Sequence, residues 1–189
     1  MLTRLLIALS AALVLAPSAL ATGGNYVLDG GTQNEQAQVK AALDASSFDY
    51  SVVPGPVAIH IVRGAATEAT PGNVYLDPDL LDAGRFAWGV VQHEYAHEVD
   101  YLVLSDDDRA QLQAALGGSA WCSGAAHAQL ACERFADLVS WAYWQSPDNC
   151  LKPASAADEG GALAPAAFRA LLARLLPQRT LSGRPPRNG

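Results

Sequence analysis

His93-Glu94-Tyr95-Ala96-His97 combines residue types and spacing in a way that can do chemistry. Four apart on a helix, His93 and His97 project from one face, one turn above the other. Two imidazoles so placed can hold one Zn²⁺ ion. Glu94 sits one position round the helix, close enough to take a proton from a water bound to that ion. The arrangement points to metal-assisted hydrolysis.

A catalytic zinc normally takes three protein ligands and keeps a fourth position for water. One arrangement draws the third ligand from a His at the eleventh position counted from the first motif His, with Gly at the eighth. Val103 and Asp100 stand there, so that route is closed. The other route is a carboxylate from a later helix, and Glu133-Arg134-Phe135-Ala136-Asp137 supplies it. Glu133 and Asp137 are four apart and face the same way. Glu133 can bind the ion while Asp137 accepts the outer N–H of a ligating His and fixes its tautomer. The bland alternative is a pair of solvated helix charges. Their setting among Phe135, Trp141, Tyr143 and Trp144 favours burial, and buried carboxylates need partners.

The paired pattern H-E-x-x-H then E-x-x-x-D resembles the gluzincin, or thermolysin-type, group of zinc metallopeptidases. His93 to Asp100 together with Glu133 to Asp137 also resembles the anthrax lethal factor-like peptidases, which carry H-E-F-G-H-x-V-D and then E-x-F-A-E. Asp137 departs from the final Glu of that second pattern and agrees with the first. The likeness covers two helices. It implies a zincin-like fold, one Zn²⁺ on His93, His97 and Glu133, and Glu94 as general base. It also implies a His or Tyr that stabilises the oxyanion. The lethal factor-like group places a Tyr shortly before the third ligand. Here His127, six residues before Glu133, is the candidate, with Tyr75, Tyr101 and Tyr143 as alternatives.

These residues need a helix under the motif, and the flanks provide one. Gly84 to Gln92 runs in and Glu98 to Leu104 runs out, with no Pro. Trp88, Val91, Tyr95, Val99 and Leu102 recur at helical spacing and predict a buried stripe. Upstream, Thr22 to Gly31 is Gly-rich and reads as loose. Thr32 and Glu35 form a capping box opening a helix to about Ala45. Phe48 to Val53, Val57 to Val62 and Asn73 to Leu76 read as strands, with a loop over Gly64 to Gly72. Val74 to Leu76 is either a sheet edge, on which an extended peptide can be added as a strand, or simply a structural strand.

Downstream, Ser105 and three Asp residues open a helix that ends at Gly117-Gly118. Trp121 to Leu130 reads as a loop, Cys132 to Trp144 as the second functional helix, and Pro153 to Ala164 as a flexible link. Pro165 opens a last helix with Phe168, Leu171, Leu172 and Leu175 inward. The expected fold class is α+β, a small antiparallel or mixed sheet packed on an active-site helix and a second ligand-bearing helix.

The whole chain has 189 residues, half of them hydrophobic, which suits one domain with a real core. A formal net charge of −7 argues against nucleic acid or anionic membrane as partner. Met1 to Ala21 reads as a secretory signal peptide: Arg4, an apolar run from Leu5 to Leu15, then Ala19-Leu20-Ala21. The expected organisation is a signal peptide over 1–21, one zincin-like metallopeptidase domain over 22–176, and a disordered tail over 177–189. Export permits a disulfide, and Cys122–Cys132 is favoured on proximity over pairings with Cys150. The functional expectation is a secreted or otherwise extracytoplasmic zinc endopeptidase with a peptide or protein substrate. The alternative is a catalytically inactive, zinc-stabilised binding module on the same scaffold.

Overall fold

The structure is a computed structural model, and it describes residues 23–176. The expected signal peptide and tail lie outside the described residues. A small mixed sheet stacks on helices. Its strands are β1 (Tyr26–Gly30), β2 (Val57–Ile61), β3 (Glu68–Thr70) and β4 (Asn73–Leu76), in the order β1-β2-β4-β3. β1, β2 and β4 are parallel, and β3 runs antiparallel to β4 at the edge. The helices among the described residues are α1 (Gln33–Ala45), α2 (Pro78–Leu81), α3 (Trp88–Leu102), α4 (Asp106–Leu116), α5 (Ala131–Tyr143) and α6 (Pro165–Leu175). The fold is therefore α+β, as expected.

Strand alternation decides which sheet face is covered. Val57, Ile59, Ile61, Val74 and Leu76 are buried against the helices, while Ala58, His60 and Tyr75 point the other way. Thr32 and Glu35 form the expected reciprocal cap on α1, and Ser105 with Asp108 forms another on α4. Three of the five stripe positions on α3 are buried: Val91, Tyr95 and Val99. Trp88 is half-buried beside the Trp144 ring, and Leu102 is 39 % exposed, so the stripe stops one turn early.

Three expectations are corrected. Phe48 to Val53 is no strand but a 3₁₀ turn, Tyr50–Val52. Ser46 Oγ accepts from Phe48 N and Asp49 Oδ1 from Ser51 N, so local turn bonds replace a ladder. Residues read as loose contain β1, an outer strand beside β2; Gly30 ends it where any Cβ would collide with Ile61 O. The expected loop over 64–72 contains β3, which displaces Val74–Leu76 from the edge into the sheet interior.

Candidate metal centre

α3 and α5 build the site, and small residues bring them together. α5 is the most extensive packing partner of α3. Ala96, Ala131 and Ala136 are fully buried, and Ser140 Oγ donates to Gly89 O at 3.0 Å. Gly89 is required: a Cβ there would overlap Asn149 Oδ1. On α3 the apolar stripe faces the core while His93, Glu94 and His97 line a cleft of about 280 Å³. Thr67, Glu68 and Ala69 of the β3 side, Tyr101, His127 and Glu133 complete its wall.

The atoms of the three expected ligands converge. His93 Nε2 and His97 Nε2 are 3.1 Å apart, and Glu133 Oε2 lies 3.3 Å from the first and 3.4 Å from the second. A tetrahedral ion with bonds of about 2.0–2.1 Å holds its ligand atoms about 3.3 Å apart. The triangle therefore fits a Zn²⁺-sized ion, and two imidazoles with one carboxylate is a donor set that such an ion favours. Behind His93, Asp137 Oδ1 faces Nδ1 at 2.8 Å, both groups buried. That contact puts the proton on Nδ1 and turns the Nε2 lone pair into the triangle. His97 lacks such a partner: its Nδ1 is buried and unpaired, and the Tyr101 ring stacked on it at 6.0 Å sets its plane.

The electrostatics describe a hole for positive charge. Burial pulls the His93 pKa down, but hydrogen bonds to Asp137 and Glu133 outweigh it and hold it up at about 10. Burial would raise Glu133, yet its bonds to His93 and His97 take it well below the usual carboxylate range. Without a metal the two carboxylates thus retain a proton on His93, and a divalent cation would answer the same need. Glu94, on the rim, is raised by burial against the opposing pull of His93 and His97.

The structure brings His127 to the cleft and supplies a partner absent from the sequence reading. His127 Nε2 faces Glu133 Oε2 at 3.1 Å, and Nδ1 faces Glu159 Oε1 at 3.0 Å. Partial burial opposes protonation, but the Glu159 hydrogen bond and the charges of Glu133 and Glu159 raise the imidazole above its ordinary pKa. Glu159 begins a 3₁₀ turn, Glu159–Gly161, inside the segment read as a link. Of the alternatives, Tyr101 alone lines the cleft, its hydroxyl donating to Ala69 O at 3.2 Å. Tyr75 stacks on His60 on the outer face of the sheet, and Tyr143 packs on Phe48.

Cys122 and Cys132 are disulfide-bonded and staple the His127 loop to the start of α5; Cys150 is free. Cys150 lines a neighbouring hollow of about 400 Å³ with Asp137 and Glu159, where His93, Glu94 and His97 take no part. Asp100 is buried and accepts from Arg109 and Trp121, tying α3 to α4 and the His127 loop. Among the described residues no helix is long and apolar enough to cross a membrane. No family model, no curated protein and no solved structure matches this chain.

Proposed function

We propose that this chain is an exported zinc-dependent peptidase of gluzincin type on a zincin-like scaffold. The observation that carries the reading is the triangle of His93 Nε2, His97 Nε2 and Glu133 Oε2, with edges of 3.1–3.4 Å and Asp137 behind it. Bound there, Zn²⁺ would polarise a peptide carbonyl and make a coordinated water acidic. Glu94 takes the proton of the attacking water on its carboxylate and returns it to the leaving amine; its raised pKa suits both transfers. Asp137 holds the Nδ1 proton of His93. His127, its protonated form favoured by Glu159 on Nδ1, would turn its Nε2–H from Glu133 to the charge developing on the carbonyl oxygen.

Substrate has a natural berth along β3. This edge strand borders the cleft through Glu68 and Ala69, and a free edge takes an extended peptide by adding a strand. The Cys122–Cys132 disulfide accords with an oxidising compartment.

The test is cleavage of casein by the zinc-loaded protein, with and without 1,10-phenanthroline, beside Glu94→Gln. Cleavage that the chelator blocks, and that Glu94→Gln abolishes with zinc still bound, supports the reading. Full activity in Glu94→Gln would refute the mechanism. One zinc per chain without cleavage would favour the inactive binding module instead.

A further inference from the structure

Glu98 follows His97 on α3 and is fully buried, yet it is no part of the metal triangle. Its Oε2 accepts from Gly72 N at 2.8 Å. Gly72 lies in the turn between β3 and β4. One turn further along α3, Tyr101 donates to Ala69 O at 3.2 Å. Residues three apart share a helix face, so the helix that carries His93, Glu94 and His97 grips this hairpin at two points. The grip at Glu98 is expensive: its Oε1 is buried with no partner, and a buried carboxylate with an unmet oxygen destabilises a fold. Such local costs concentrate at functional sites.

We propose that Glu98 is a positioning residue for the cleft. By holding the Pro71–Gly72 turn against α3, it fixes the height of β3 above the metal ligands and so aligns an extended peptide paired along β3. The inference rests on the peptidase reading. It assigns to the metal helix a second task, setting the reach between the strand that holds substrate and the groups that act on it. A displacement of about 1 Å in such alignment is enough to cost about 100-fold in rate.

The test uses the zinc-loaded chain with Glu98→Met, which fills the space without an acceptor, and Glu98→Gln, which restores one. Three quantities are read: zinc content, amide exchange over residues 68–73, and kcat and KM on casein and on a blocked dipeptide amide too short to pair with β3. Glu98→Met should keep its zinc, exchange faster at Gly72, and lose at least tenfold in kcat/KM on casein, mostly through kcat. It should stay within about twofold of wild type on the dipeptide. Glu98→Gln should recover most of the casein loss. Equal losses on both substrates, loss of zinc, or unchanged casein kinetics would each overturn the proposal. A zinc-loaded wild type that cleaves neither substrate defeats the peptidase reading and the peptide alignment with it; unchanged exchange in Glu98→Met defeats the tether itself.

Discussion

Asp137→Asn isolates the charge behind His93. Asn keeps the size and an acceptor oxygen at the position 2.8 Å from His93 Nδ1, and removes only the negative charge. Two effects follow, of opposite sign. Loss of the carboxylate weakens the His93–metal bond; outer contacts of this kind typically contribute about 10–100-fold in affinity, roughly 1.4–2.7 kcal/mol. Against that, metal must displace the proton that His93 holds with a pKa of about 10. At pH 7 this is about three pH units of competition, roughly 4 kcal/mol at 1.36 kcal/mol per unit. Without Asp137 the proton leaves more easily, so the competition shrinks. Near pH 7 the two effects partly cancel, whereas above the His93 pKa only the weakened bond remains. The assay is a zinc competition titration with a chromophoric chelator from pH 6 to 10.5, corrected for the chelator's own protonation. Wild-type affinity should rise about tenfold per pH unit until near pH 10 and then level. The variant should level at lower pH, on a plateau about 10–100-fold weaker. Wild-type affinity that is flat between pH 7 and 9, or a variant plateau equal to wild type, would refute the reasoning.

Reducing Cys122–Cys132, which are 10 apart in sequence, should cost about 2–3 kcal/mol by loop entropy, read as a lower urea midpoint with reductant present; an unchanged midpoint would contradict it. Phe135 is fully buried between Trp121 and Phe168, so Phe135→Ala should cost about 3–5 kcal/mol. Phe86, 60 % exposed, should tolerate Ala within about 0.5 kcal/mol, and similar costs at the two sites would argue against the packing of α5. Burial lifts the Glu98 pKa to about 7, partly offset by the Gly72 and Asn73 N–H groups. A folded pKa above the unfolded one means stability that is full below about pH 4.5 and is lost as pH rises through 7. Glu98→Gln should flatten that decline in the metal-free protein by about 1–3 kcal/mol in chemical denaturation, and an unchanged slope would assign the decline elsewhere.

The helices that hold the triangle were legible because one periodicity served two purposes. On α3, Val91, Tyr95 and Val99 mark the core face every four residues, and His93 and His97 recur at the same interval on another. On α5, Phe135, Leu138 and Val139 give the core, Glu133 reaches the cleft, and Asp137 stands behind His93. Ligation demands particular side chains at helical spacing, so it leaves a pattern in the sequence. The proposed substrate strand makes no such demand. β3 is three residues long with one half-buried Ala, too short for an alternation to register. Its place is set by pairing with β4 and by grips from Glu98 and Tyr101, contacts that span about 26–32 residues of chain. Glu159 sits among small and polar residues whose turn is organised by Asp158 accepting from Ala154 and Ser155. Nothing periodic announces that it meets His127. Glu98 reads in the sequence like any solvated helix carboxylate, and only the fold buries it completely. The candidate ligand set is therefore written locally and the proposed peptide alignment is not, since backbone edges and long-range tethers select by shape. Relatives of this site with the same two helical motifs are thus expected to differ first in β3 and in what occupies the position of Glu98.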